Sequence, residues 1–190
     1  MKKAIVALLL SAFAVTPALA DNTGKFYIAG DIGSARYTNV TVAAGTYPNP
    51  GMVRIAGGYH YSPALAVELG VSGFGDSTLT TGVSSGTITA SSFQIAAVGS
   101  LPLNSQFDLF GKLGVASNKN QIDVKISGVT VASVSSSKSS LLVGFGAQYH
   151  INSQFSVRAQ YENFGSFGNF GTTGQDMKAS AISAGVAYDF

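Results

Sequence analysis

The sequence predicts an all-β protein, an eight-stranded antiparallel up-and-down transmembrane β-barrel. Three observations carry that prediction. Eight segments alternate apolar and polar residues with the period of two that a strand imposes. The alternation is one-sided, because no charged side chain appears among the apolar-face residues named below. The connections alternate between tight turns and long polar loops.

The first twenty residues stand apart. "MKKAIVALLLSAFAVTPALA" opens on Lys2 and Lys3, runs apolar from Ala4 to Val15 and exits through Ala18-Leu19-Ala20. A basic start, a short apolar run and a small-x-small exit mark a secretory signal peptide. The run is too short to cross a bilayer as a helix, which takes about 20 residues, and the flanks fit an export signal better than a buried helix. Residues 1–20 are therefore expected to be a signal cleaved at the Ala18/Ala20 site, and residues 21–190 the barrel domain.

Eleven Lys and Arg less Lys2 and Lys3 leave nine, against nine Asp and Glu, so the mature domain has no net formal charge. Without a strong field, nucleic acid is not an expected partner. The absence of cysteine excludes disulfides, thiolate metal sites and a lipidated N-terminal cysteine. Only 11% of the chain is charged, where globular proteins hold roughly 25%.

Strands are expected over 25–37, 51–61, 64–74, 87–101, 106–118, 138–150, 154–164 and 179–190. The first carries Phe26, Ile28, Gly30 and Ile32 on one face, the second Val53, Ile55, Gly57 and Tyr59, the third Leu65, Val67, Leu69 and Val71. The fourth carries Phe93, Ile95, Ala97, Gly99 and Leu101, and the fifth Phe107, Leu109, Gly111, Leu113 and Val115. The sixth carries Leu141, Val143, Phe145, Ala147 and Tyr149, and the seventh Phe155, Val157, Ala159 and Tyr161. The eighth ends the chain with Ile182, Ala184, Val186, Tyr188 and Phe190.

The opposite face holds Asp31, Arg54, His60, Glu68, Gln94, Asp108, Lys112, Gln148, His150, Arg158 and Gln160, diluted by Gly, Ala and Ser. These charges are far too few to coat a water-soluble barrel. Turned inward, with the apolar face in lipid, they make sense, since a charge on the lipid face would cost about 2–4 kcal/mol near the midplane.

"YSPA" (61–64), "PLNSQ" (102–106) and "INSQ" (151–154) read as tight turns; 38–50, 75–86, 119–137 and 165–178 read as long loops. The loop at 119–137 has its own alternation (Ile122, Val124, Ile126; Val129, Val131), which predicts a hairpin beyond the membrane. "NSQF" occurs at 104–107 and at 152–155. Aligning the strands on these repeats puts Glu68 and Arg158 at one level, with Gln148 nearby. Lys112 and Gln160 fall at the next level, with Asp31 and Lys112 forming a second layer.

With these residues in view, the chain resembles the OmpA/OmpX-type eight-stranded outer-membrane β-barrel family. "FYIAGDIGSARY" (26–37), "GGYHYSPALAVELGV" (57–71), "FDLFGKLGVA" (107–116) and "QFSVRAQYENFG" (154–165) are similar to its first, third, fifth and seventh strands. Ile182, Ala184, Val186, Tyr188 and Phe190 resemble the C-terminal signature read by the barrel-assembly machinery. The chain departs from OmpA itself in that no periplasmic peptidoglycan-binding domain is expected, and the family's interior base on the fourth strand is replaced by small residues around Ala96 and Val98. The resemblance implies a Gram-negative outer-membrane location, lipid and lipopolysaccharide as surroundings, assembly by that machinery, and a monomer. It also implies that the interior polar set, Asp31, Glu68, Lys112, Gln148, Arg158 and Gln160, acts as a switchable gate in a small pore. The plainer reading of the same set is an ion-paired structural core, because side chains fill a barrel of about eight strands and buried charges must be paired.

Two functions of different classes follow. One is a structural or surface-interaction protein whose loops contact a host or neighbouring cell; the other is a narrow, porin-like channel for small or hydrophobic solutes. Enzyme activity is not expected. "HYS" (60–62) resembles the His-x-Ser element of PagL-type lipid A deacylases, but Ser62 precedes Pro63 in a turn on the side away from lipid A. Two histidines without a third ligand make a poor metal site, so no metal or cofactor is expected. Tyr37, Phe74, Phe164, Phe167 and Phe170 gather toward the long-loop rim, as an outer aromatic girdle with ordinary loop packing or as a surface for adhesion or ligand entry.

Overall fold

The structure, a computed structural model, describes residues 23–38, 41–42, 45–46, 48–82, 84–169 and 176–190. The expected signal peptide with its Ala18 and Ala20, and Phe170 of the rim aromatics, lie outside the described residues. The strands are β1 (Phe26–Thr38), β2 (Thr41–Val42), β3 (Gly45–Thr46), β4 (Gly51–Ser62), β5 (Leu65–Thr81), β6 (Ser84–Pro102), β7 (Phe107–Ile126), β8 (Val129–His150), β9 (Phe155–Asn169) and β10 (Asp176–Asp189). Eight of them close a barrel in the order β1-β10-β9-β8-β7-β6-β5-β4, with every neighbour antiparallel, and β2 pairs with β3 inside the first long loop.

Alternation sets the faces as expected. Ile32, Ile55, Val71, Leu113 and Phe145 lie on the outside, each more than half exposed, while Asp31, Arg54, Glu68, Lys112 and Arg158 are buried inside. A barrel exposing its aliphatic side chains and burying its charges is built for lipid. Closure depends on the end of the chain. Asp189 pairs with Tyr27, and the Phe190 amide donates to the Phe26 carbonyl at 3.0 Å, so the ladder runs to the last residue. Phe190, Tyr188 and Phe155 pack edge to face on the outer surface, beside the Phe26–Tyr59 pair. These rings form an aromatic belt at the short-turn rim.

The two copies of "NSQF" make the same turn. Asn104 Oδ1 accepts from the Gln106 amide and Asn152 Oδ1 from the Gln154 amide, each at 2.9 Å. An asparagine side chain standing in for a backbone acceptor is what favours this residue in turns.

The short-turn ends of the strands fall where the sequence puts them, but the long-loop ends run further. β5 reaches Thr81, β6 begins at Ser84, β7 reaches Ile126 and β8 begins at Val129. Within 75–86, expected as a loop, residues 75–81 and 84–86 are strand, with Gly82 at φ 61° after the first of them. The Ser/Thr-rich sequence there lacks a strong apolar face, yet each strand gains a ladder from its extended neighbour. The expected hairpin at 119–137 is continuous with β7 and β8. It turns at Ser127 and Gly128 with φ of 50° and 82°, the two left-handed positions of a type I′ turn. The result is a four-stranded sheet, β5 to β8, projecting past the barrel.

Candidate functional site

The lumen is built in three layers. The middle one is ionic. Asp31 on β1 receives Arg158 Nε and Nη2 on its two oxygens at 2.8 and 2.6 Å, a bidentate pairing, and Arg54 Nη1 at 2.8 Å. Glu68 on β5 binds Arg54, Lys112 Nζ at 2.8 Å and Arg158 Nη1 at 3.1 Å, and it accepts the Tyr27 hydroxyl at 3.0 Å. Glu162 on β9 meets Lys112 at 3.3 Å and Arg54 at 3.6 Å. Three carboxylates thus face three cations, all buried, and the formal charges cancel. That balance is the condition for holding ions away from water.

Small residues make room for these long side chains. A Cβ on Gly58 would stand 2.2 Å from the Tyr27 ring, and one on Gly70 would stand 2.8 Å from Gln94 Oε1 and 3.2 Å from Arg54 Nη2. β6 contributes Gln94, which accepts from Arg54 Nε and donates to Ser72.

Above this layer the long-loop mouth is plugged with apolar side chains. Phe74 meets Phe164 and Phe167 edge to face, with ring centroids 5.3 and 5.7 Å apart. Met52, Ile88, Leu142 and Met177 complete the cluster, and Tyr37 packs against it. This corrects the expected outer girdle: Phe74, Phe164 and Phe167 lie inside the barrel. Phe74 shares the parity of Glu68, and Phe164 that of Arg158. Left-handed bends at Gly165 (φ 70°) and Gly168 (φ 100°) then fold the end of β9 over the opening. Asn118 holds it there, donating to the carbonyls of Phe164 and Ser166 at 2.7 and 2.9 Å. In consequence the β8–β9 ladder stops at the Val143–Asn163 pair.

Below the ionic layer a cavity of about 280 Å³ opens between the short turns. Its mouth carries two histidine–carboxylate pairs, His60 Nε2 to Asp189 Oδ1 at 3.0 Å and His150 Nε2 to Asp108 Oδ2 at 2.8 Å.

Of the residues expected to form the interior cluster, Asp31, Glu68, Lys112 and Arg158 meet in one network, not in two layers. Long side chains and strand stagger merge the levels that alignment of the turns separates. Gln160 joins through Glu162, donating to Oε2 at 3.3 Å. Gln148 pairs in register with Arg158 but lines the cavity below. Two members escaped the sequence reading. Glu162 continues the inward series of Arg158 and Gln160 by two residues, so parity would have found it. Arg54 was on the polar face and lacked only an assigned depth. Among the described residues, no group of three or more His, Asp or Glu side chains converges as a metal site.

Residues 5–190 match the sequence pattern of the outer membrane protein beta-barrel domain. The chain belongs to that family. Its place is the bacterial outer membrane, and the inside-out burial, the closed ring and the aromatic belt agree with this. Several solved structures share the fold. Ail, the attachment invasion locus protein of Yersinia pestis, in complex with the heparin analogue sucrose octasulfate, superposes with a TM-score of 0.63 at 20% identity, covering 88% of this chain and 99% of Ail. Neisserial surface protein A gives 0.60 at 16% identity over 87% of this chain and 97% of its own. The outer membrane protein OprG of Pseudomonas aeruginosa gives 0.59 at 13% identity over 88% and 96%. None of the curated proteins is significantly similar in sequence.

Proposed function

We propose that this barrel works through its long-loop surface, as a structural and surface-interaction (adhesion-type) protein of the outer membrane. The observation that carries the reading is the contrast between a filled lumen and a built-up exterior. Ion pairs cross the lumen and an apolar plug caps it, whereas β5–β8 continue outward as an exposed sheet. The outer face of that sheet presents Lys119, Lys125, Ser133 and Ser135, and Val129, Val131 and Val134 are exposed near its tip. The likeness to Ail, an attachment protein solved with a sulfated sugar, supports a surface ligand without naming one. Replacing residues 119–137 by a short turn tests the reading. Cells displaying the shortened barrel are expected to lose adhesion to host-cell or neighbouring-cell surfaces while the barrel still folds; unchanged adhesion would contradict it.

A second reading, a narrow channel, is favoured by the cavity that reaches Glu68 and Arg158 from the short-turn side. It requires the ionic layer to open as a gate, so Glu68→Ala or Arg158→Ala would alter a measured conductance. The remaining parts of the proposal rest on sequence. They are export by residues 1–20 in a Gram-negative cell, assembly through the signature ending at Phe190, a monomeric barrel, and no enzymatic role. Unaltered lipid A acylation on deletion of the protein is the outcome expected of the last.

A further inference from the structure

The outer wall carries a pair of cations that neither reading of function uses. Arg36 on β1 and Lys178 on β10 are exposed, and each keeps the lipid-facing parity of its strand, in line with Ile32 and Ile182. The two strands meet in the ladder that closes the ring, first strand to last. Its register pairs Thr38 with Lys178 and Arg36 with Ser180, so the cations are diagonal neighbours across the seam. Such positions lie about 7–8 Å apart, within reach of one small anion for side chains of this length.

Their height follows from the aromatic belt at the short-turn rim. Arg36 lies ten residues along β1 from Phe26, and Lys178 ten residues back along β10 from Tyr188. A strand rises about 3.3 Å per residue. At a tilt of about 40°, ten residues climb about 25 Å, the height of the apolar band. Both cations therefore stand where the hydrocarbon ends on the long-loop side, among the headgroups of the outer leaflet.

A single cation at an interface reaches water by snorkelling and needs no partner. Two cations across one ladder repel each other, and an anion between them removes that cost. Among the described residues, neither Arg36 nor Lys178 forms an ion pair. Two acids stand near this height. Asp76 on β5 accepts from the Thr89 hydroxyl at 2.6 Å, and Asp176 is bound by Lys138, although the field of Lys178 reaches it. The flanking segments 39–50 and 170–175 contain no Asp or Glu at all.

We propose that Arg36 and Lys178 hold between them a phosphate group of an outer-leaflet glycolipid of the lipid A type, and that this phosphate clasps the β1–β10 seam at its outer end. Arginine meets phosphate oxygens with its planar fork and lysine with a compact charge. The hydroxyls of Thr38 and Ser180, at the other two corners of the same patch, add neutral donors.

The test is the unfolding rate of the full chain refolded into phosphatidylcholine vesicles, followed at a fixed elevated temperature by loss of the heat-modifiable band. Replacing about a tenth of the lipid by bis-phosphorylated lipid A is expected to slow unfolding about tenfold, the worth of one charge-assisted hydrogen bond. Arg36→Gln and Lys178→Gln should each abolish most of that slowing. Lys25→Gln, which removes an exposed cation at the short-turn rim, should keep it. In phosphatidylcholine alone the two seam variants should unfold no faster than the unmodified chain, which separates a lost site from a damaged barrel. Equal slowing by dephosphorylated lipid A, by phosphatidylglycerol or by inorganic phosphate would assign the effect to acyl chains, to bulk surface charge or to a soluble anion, and each would overturn the proposal. So would the absence of any slowing, a full response to lipid A in the seam variants, its loss in Lys25→Gln, or faster unfolding of the seam variants without lipid A.

Discussion

Glu68 shows at the scale of one residue what the lumen demands of its side chains. Its carboxylate touches Arg54, Lys112, Arg158 and the Tyr27 hydroxyl at once. Glu68→Ala would leave three buried cations against Asp31 and Glu162. Removing one partner from such a set costs about 3–5 kcal/mol, because it strands a charge away from water. That loss is expected in urea unfolding of the barrel from lipid vesicles. The double change Glu68→Gln with Lys112→Met removes one charge of each sign and is expected to recover most of it. A double variant as unstable as Glu68→Ala would contradict the charge-balance account. Which residues turn inward was legible from parity alone, as Asp31, Lys112 and Arg158 demonstrate. Which of them touch was not. An arginine reaches across the depth of several residues, and the stagger between strands is a property of the closed ring, absent from any one segment. Hence Asp31 and Glu68, read as separate layers, share both Arg54 and Arg158.

At the scale of the element, β10 is where the sequence was most explicit and its role is clearest. Alternation ending on Phe190 says that the strand is paired to its last residue, and the amide of Phe190 bonded to Phe26 is that pairing. Changing Phe190 to Ser keeps this backbone bond and removes the ring packed on Tyr188. Refolding in detergent is therefore expected to survive, whereas the amount of barrel assembled in the outer membrane should fall severalfold, as read by immunoblot of membrane fractions. Normal levels in the membrane would remove the assembly role of the signature. β9 is the counter-example. Its first half obeys period two, but the bends at Gly165 and Gly168 break the alternation, so both Phe164 and Phe167 turn inward. Glycine-rich sequence reads as loop, and only the opening it folds over explains its use as a plug. The long-loop ends of β5 to β8 were hidden for a related reason. Serine and threonine strands are held by their neighbours' ladders and carry little apolar pattern of their own.

Taken whole, the molecule is a cylinder with lipid-facing walls, a neutral ionic belt across its middle, an apolar cap at one end and a polar cavity at the other. Ions in transit would have to break a charge network that is balanced only when intact, and then pass a plug of Phe74, Phe164 and Phe167 that offers them no hydrogen bonds. The same architecture leaves the projecting sheet free to vary without touching the core, which suits a protein whose partners lie outside the cell. The most direct test is single-channel recording of the full chain reconstituted in a planar lipid bilayer, with insertion verified by a heat-modifiable band on electrophoresis. A sealed barrel predicts silent membranes at moderate voltage. Stable stepwise openings, altered by Glu68→Ala, would contradict it and make the ionic layer the gate of a channel.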